Sequence, residues 1–426
     1  MASSVSPPRG MRDFLPAEKA KRERMLAVIR RVYSAHGFDE IETPVMEESA
    51  RLHSGLGGDN EKLSFAVMKR ALTSDDLANA NDPLDLADLG LRFDLTVPLA
   101  RFYATHRGEL PTVFRAIQIA PVWRAERPQK GRYRQFVQCD IDIIGEAGPL
   151  AEIELLTATA DTLKALGLEG ATIRINDRRL LIGMLEVFGF DPSEFDAVLI
   201  SIDKIDKIEK AGVIAELHAH EFTEAAVDAL DEFFFRPHTL EHLTFGARSI
   251  AKELPAGIDQ SVIDNLAELG KAVNSGLGAQ VVVFDPFLVR GMGYYTGTIF
   301  EIAHPLSSSS LGGGGRYDGM IGRFLGTDVP AAGFSIGFER IVDLIDVPTD
   351  SGPDAVALLY DADVDLRRLL ELKTALIAQG RRVRLERSPR NTRPLLEALE
   401  ASGFSAVATV TTDTESVDDL KFRALG

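Results

Sequence analysis

Between Ala17 and Gly37 the apolar residues Met25, Ile29, Val32 and Tyr33 recur at the spacing of one helix face, and Gly37 supplies the left-handed stop that ends a helix. The pattern predicts an amphipathic helix running into a short strand, Phe38–Thr43. Pro44 closes that strand; lacking a ladder donor, it belongs at a strand end or a sheet edge. Residues 72–87, rich in Asp, Asn and Ala, predict an exposed loop. Strand patterns follow at Leu91–Leu95, Val113–Arg124 and Gln135–Gly145, joined by polar Arg/Gly/Pro segments suited to hairpins, and a helix follows over about Pro149–Leu166.

From about residue 172 to 280 the period becomes helical, with Ile202, Ile205 and Ile208, then Val262, Ile263, Leu266 and Leu269. Residues 181–275 also hold 18 acids against 7 Lys and Arg, a shift that marks an inserted helical domain. Strand patterns return at Val281–Phe284 and Thr298–Ala303, Gly312–Gly315 predicts a glycine-rich loop, and Gly333–Gly337 leads into a helix near Phe338. The stretch Pro348–Pro353 has linker composition. Beyond it, Ala355–Leu359, Leu366–Gln379, Val383–Leu385, Thr392–Ser402 and Ala406–Val410 alternate strand and helix as in a small α/β domain.

The length of 426 residues is enough for several domains, and 45% hydrophobic with 26% charged residues is a globular mix that excludes collagen-like, disordered and disulfide-scaffold classes. The single cysteine, Cys139, cannot form an intrachain disulfide. The opening MASSVSPPRG has no apolar run, and no window reaches the roughly 18 apolar residues of a membrane span, so the expected setting is the cytoplasm, with no membrane partner. A formal charge of −17 argues at face value against a polyanionic partner.

Two islands reverse that sign locally. Arg115, Arg124, Arg127, Lys130, Arg132 and Arg134 face one acid, Glu126; Arg381, Arg382, Arg384, Arg387, Arg390 and Arg393 face only Glu386. Guanidinium groups at this density suit phosphates, although a solvated basic loop has the same composition. Strand side chains alternate between faces, so Gln135–Ile144 divides into Phe136, Gln138, Asp140 and Asp142 on one side and Val137, Cys139, Ile141 and Ile143 on the other. The polar set fits the floor of a small-molecule cleft, and equally a half-exposed strand. The run Val289–Gly297 sets Arg290, Tyr294 and Tyr295 among glycines. No HExxH, paired CxxC or histidine spacing for a metal occurs, and the glycine runs lack the dinucleotide and Walker spacings.

In order along the chain, these pieces closely resemble the histidyl-tRNA synthetases. The stretches that carry the likeness are Pro8–Asp13, Ile41–Pro44 as the first class II motif, Trp123–Phe136 as the second, Gly333–Arg340 as the third, and the histidine blocks Leu288–Tyr295 and Gly314–Gly319. The resemblance implies an α+β fold, a class II antiparallel sheet flanked by helices. It assigns residues 1–171 and 281–347 to the catalytic domain, 172–280 to an inserted clasp for the acceptor stem, and 353–426 to an anticodon-binding α/β domain, shortened here by a final strand and helix.

By position, the resemblance implies that Arg124, Arg290 and Arg340 serve catalysis, and that Arg124, Glu126, Phe136 and Arg340 bind ATP with its Mg²⁺, without a dedicated protein metal site. It implies histidine contacts from Asp94, Leu95, Thr96, Arg124, Gln138, Asp142, Arg290, Tyr294 and Tyr295. Gln129, Lys130, Arg382, Arg387 and Arg390 would touch tRNA(His), and Ile41–Pro44 would lie at a homodimer interface. Gly293 stands where the family often has aspartate, and Asp94 and Asp142 stand for glutamates. The alternative is the synthetase-like regulatory subunit of ATP phosphoribosyltransferase, a histidine sensor that acylates no tRNA.

Overall fold

The computed structural model describes residues 5–52, 63–128, 131–220, 222–238, 245–290, 294–345 and 354–425. The chain divides into two compact units, one made of residues up to Arg12 with Leu26–Ile345, the other of Asp13–Met25 with the residues after Ile345. In chain order the strands are β1 (Asp39–Glu40), β2 (Met46–Glu48), β3 (Phe65–Met68), β4 (Ala87–Leu91), β5 (Phe114–Trp123), β6 (Gln135–Ile144), β7 (Thr172–Asp177) and β8 (Val282–Phe284). There follow β9 (Thr298–Ala303), β10 (Gly312–Arg316), β11 (Ala331–Gly337), β12 (Ala355–Tyr360), β13 (Arg382–Arg387), β14 (Ala406–Val410) and β15 (Arg423–Ala424).

Eight strands of the first unit form one sheet in the order β1-β5-β6-β11-β10-β9-β7-β8. It is antiparallel except at its ends, where β1 runs parallel to β5 and β7 to β8. Its spine is the β5–β6 hairpin, in register from Phe114 opposite Ile144 to Trp123 opposite Gln135. β11 pairs along the other edge of β6, and the helix Leu150–Ala165 packs on both. Cys139, Ile141 and Ile143 are fully buried, as an apolar face under helices should be. Gln138, Asp140 and Asp142 on the opposite face are buried as well, so the half-exposed reading of this strand fails. A buried polar row has to find partners or a ligand.

A second, three-stranded sheet, β2-β4-β3, precedes the helix Thr96–His106. Between β7 and β8 run the helices Arg178–Phe188, Phe195–Ile202, Ile205–Ala219, Glu224–Phe235, Ala247–Glu253 and Gln260–Leu277. In the second unit β13, β12 and β14 are parallel, with the helices Leu366–Ala378 and Arg393–Ala401 between them. Leu369, Leu372 and Leu376 anchor one core cluster there; Leu399 and Phe404 anchor another.

Four expectations change. Residues 72–87 hold a helix, Ser74–Asn79, because Thr73 and Asp76 form a reciprocal capping box within the polar stretch. The strand expected at Leu91–Leu95 ends at Leu91, where Arg92 turns inward and donates to the carbonyls of Thr43 (2.8 Å), Pro44 (3.3 Å) and Pro121 (2.9 Å). Gly312–Gly315 is no loop but the buried core of β10, between β11 and β9. A Cβ at Gly314 would stand 2.0 Å from the Gly333 carbonyl oxygen, so glycine here serves close strand approach rather than turning. Finally, a short last strand is present: β15 closes the second sheet antiparallel to β14. The expected linker at Pro348–Pro353 lies outside the described residues.

An ion pair crosses the first unit's core. Arg316 on β10 binds Glu152 of the helix Leu150–Ala165 through Nε (2.7 Å) and Nη2 (2.6 Å), and Thr298 of β9 donates to the same carboxylate (2.8 Å). Both charged side chains are nearly sealed from water. Breaking one side of such a pair strands a buried charge, so Glu152→Ala is expected to cost about 3–5 kcal/mol in denaturant unfolding, well above a surface substitution.

Candidate active site

The cleft is built on the polar face of β6. Phe136 lies at its outer end, then Gln138, Asp140 and Asp142 in turn. The neighbouring strands clear space over this face by carrying glycines. A Cβ at Gly333 on β11 would stand 1.9 Å from Asp142 Oδ1, and one at Gly313 on β10 would stand 2.5 Å from Arg290 Cζ. Asp94 joins from the turn between β4 and the helix Thr96–His106, where its Oδ1 accepts the Val97 N–H at 3.2 Å. Thr96 opens that helix. Tyr294 and Tyr295, rings 4.3 Å apart, pack with Tyr317 against the adjoining core.

One end is acidic. Asp142 accepts the Tyr317 hydroxyl at 2.6 Å. Asp140 accepts Gln138 Nε2 on both oxygens, at 3.1 and 3.3 Å, and the same Nε2 reaches Ser335 Oγ at 3.3 Å. Burial, with repulsion from Asp140 and Asp94, drives the Asp142 carboxyl well above its ordinary value. Burial lifts Asp140 to about 7, with Asp94 adding to the rise while Ser335, Gln138 and Arg124 restrain it. Asp94 is half-buried, and desolvation lifts it to about 6 against the Val97 N–H and Arg124.

The other end is basic. Arg124 starts the hairpin after β5; its Nε donates to the Phe93 carbonyl at 3.0 Å and its guanidinium lies 5.0 Å from the centre of the Phe136 ring. Arg290 pairs with Glu301 and donates to Ser310 Oγ at 3.0 Å, while Arg340 donates to the Ser310 carbonyl. Arg340 titrates below its usual value, first through burial and then through Arg132, Arg290 and Arg124, so these guanidiniums share one region. A ligand that fits has N–H donors at one end, anionic oxygens at the other, and a flat group to lie on Phe136.

Of the residues expected from sequence, Asp94, Thr96, Arg124, Phe136, Gln138, Asp142, Arg290, Tyr294, Tyr295 and Arg340 come together in this one region. Glu126 lies on the hairpin, its carboxylate 3.8 Å from Arg132 and its carbonyl accepting Arg134 Nε at 3.0 Å. Leu95 has its side chain fully buried and its carbonyl taken by Gln118 Nε2 (3.0 Å), leaving its side chain in the core rather than the cleft. Gln129, Lys130 and Gly293 lie outside the described residues. Arg382, Arg387 and Arg390 belong to the second unit; Arg382 already lies over the Phe404 ring at 4.6 Å. Asp140, Glu301, Ser310 and Tyr317 complete the site without having been assigned a role from the sequence. Asp140 was visible in the strand parity, Glu301 lay within the strand pattern Thr298–Ala303 and Tyr317 within the block Gly314–Gly319, while Ser310 sits in a serine run with no distinguishing period. Among the described residues no group of three or more His, Cys, Asp or Glu is disposed to hold a metal ion.

The raised carboxyls give a signed prediction. With a folded value near 6 against an ordinary 3.8, Asp94 holds its proton more tightly in the folded state, so its contribution to stability is full below about 3.8 and is lost as pH rises to about 6. Asp94→Asn keeps an acceptor for the Val97 N–H and removes the titration. Its melting temperature relative to the parent is expected to climb from pH 4 to 6 and level off above 7; a flat difference contradicts the assignment.

The histidyl-tRNA synthetase family model matches residues 10–341. A histidine–tRNA ligase of Leifsonia xyli subsp. xyli is 60% identical over 431 residues, covering 99% of each chain. A probable histidine–tRNA ligase of Tropheryma whipplei is 44% identical, over 94% of this chain and 95% of its own. Two solved structures share the fold: histidyl-tRNA synthetase from Nostoc sp. PCC 7120 (TM-score 0.77, 24% identity, 99% of this chain and 95% of that one) and an ATP phosphoribosyltransferase regulatory subunit/histidyl-tRNA synthetase from Bacillus halodurans C (0.75, 21%, 96% and 99%). With a family model spanning the cleft and relatives aligned nearly end to end, this chain belongs to the histidyl-tRNA synthetase family.

Proposed function

We propose that the cleft performs both steps of a histidine–tRNA ligase: it joins histidine to AMP using ATP, releasing pyrophosphate, and then passes histidine to the 3′ end of tRNA(His). The observation that carries this reading is the division of one cleft into a carboxylate end and a guanidinium end, with the Phe136 ring beside Arg124. Histidine offers an ammonium and a ring N–H to Asp94, Gln138, Asp142 and the paired tyrosines. ATP offers phosphates to Arg124, Arg290 and Arg340, its adenine lying on Phe136 with Glu126 at the amino group.

In the first step a carboxylate oxygen of histidine bonds to the α-phosphorus while the bond to pyrophosphate breaks. Negative charge grows on the five-coordinate phosphorus, and guanidiniums already fixed in place stabilise it without reorganising. Mg²⁺ enters with ATP and neutralises its phosphates. In the second step the terminal ribose hydroxyl of the tRNA attacks the acyl carbon and AMP leaves. Residues 172–280 would clasp the acceptor stem, the segment from 353 would read the anticodon through Arg382, Arg387 and Arg390, and Ile41–Pro44 would lie in a homodimer interface of a cytoplasmic enzyme. The regulatory-subunit reading has less support: the relative at 60% identity over the full chain bears the ligase name.

Purified protein given ATP, Mg²⁺ and tRNA is expected to move labelled histidine into acid-precipitable RNA; unlabelled RNA would favour the regulatory-subunit reading. Arg290→Ala is expected to slow histidine-dependent ATP–pyrophosphate exchange on the order of a hundredfold to a thousandfold while the protein remains folded, Arg174 still pairing with Glu301. Exchange at the parent rate would remove Arg290 from the chemistry.

A further inference from the structure

Arg290 stands in a slot whose walls come from three separate places. Its guanidinium lies over the bare backbone of Gly313, which pairs directly with Glu301 across β10 and β9. Glu301, buried on β9, takes Arg290 on Oε2, and Ser310 from the loop before β10 takes the same Nη1. The second oxygen of Glu301 is not free to turn. Oε1 accepts Arg174 Nη1 at 3.1 Å, and Arg174 is itself fixed by Asp285 through Nε at 2.7 Å and by Asp206 at 3.2 Å. Desolvation opposes the charge on Arg290, but Glu301 and the tyrosine pair together more than offset it.

A long arginine side chain has many rotamers, and this one faces a cleft that also contains Asp94, Asp140 and Asp142. An untethered guanidinium there would be drawn to those carboxylates, filling the histidine end and leaving the phosphate end short of a cation. We propose that Glu301 is a positioning residue for adenylation: clamped by Arg174, it holds the Arg290 guanidinium over Gly313, aimed at the α-phosphate position and off the carboxylates. The proposal rests on the ligase reading above and adds to it a residue that does not itself touch substrate.

The experiment is a double-mutant cycle on histidine-dependent ATP–pyrophosphate exchange, with pre-steady-state adenylate formation for the slow variants. Glu301→Gln keeps the shape of the side chain and removes the charge that fixes Arg290. In the parent it is expected to lower kcat on the order of tenfold, the loss set by the fraction of molecules whose Arg290 remains aimed, with KM for ATP changed less than about threefold. In an Arg290→Ala background it is expected to change kcat less than twofold, since no guanidinium remains to aim. Ser310→Ala, at a half-buried loop position, should show the same dependence with a smaller effect and serves where Glu301→Gln does not fold. Unchanged kcat in the parent, or an equal loss in both backgrounds, overturns the proposal. A parent that shows no exchange with histidine instead overturns the ligase reading.

Discussion

Everything in the first unit answers to one constraint: guanidiniums and carboxylates share a cleft poor in water and must not collapse onto each other. Opposite charges shielded from water attract strongly, so the open arrangement persists only if each group is tied elsewhere. The ties are specific. Arg124 is held to the Phe93 carbonyl, Arg340 to the Ser310 carbonyl, and Arg290 to Glu301 and Ser310. Opposite them, Asp142 is held by Tyr317, Asp140 by Gln138, and Asp94 by the Val97 N–H. The raised carboxyl values of Asp94, Asp140 and Asp142 follow from this arrangement, in which burial outweighs the cations and hydrogen bonds that reach them.

The sheet supplies the ties because its central strands are paired on both edges and cannot drift. β6 carries the acids in alternation, and the glycine-rich β10 and β11 leave the volume above them for Arg290, Asp142 and the tyrosines. Glycine is a poor strand former, so a run of four inside a buried strand costs stability. Here that run opens the cleft, and the Arg316–Glu152 pair behind it binds the same strand to the covering helix.

Much of this was legible from the sequence. Alternation in Gln135–Ile144 placed both the apolar face and the polar cleft floor, and the hairpin carrying Arg124 followed from its flanking strands. Gly312–Gly315 was misread because period-two reasoning depends on side chains, and four glycines carry no period at all. Glu301 was hidden inside a strand pattern, and Ser310 in a serine run whose meaning comes only from the two arginines that reach it across the sheet. In the second island Arg381 pairs with Asp354 and Arg393 with Glu397, and Arg382 and Arg384 lie over Phe404. Net charge along a sequence does not distinguish guanidiniums held within a domain from those offered to a partner.

A cleft that ends in buried carboxylates, an amide and tyrosine hydroxyls rejects ligands lacking matching donors, because each unmatched group is left desolvated and unpaired. The most direct measurement is ATP–pyrophosphate exchange by the purified protein against each of the twenty amino acids in turn. The account predicts exchange with histidine and, for each of the others, a rate lower by orders of magnitude. Exchange with none of them, or as fast with a side chain lacking N–H donors, would contradict it.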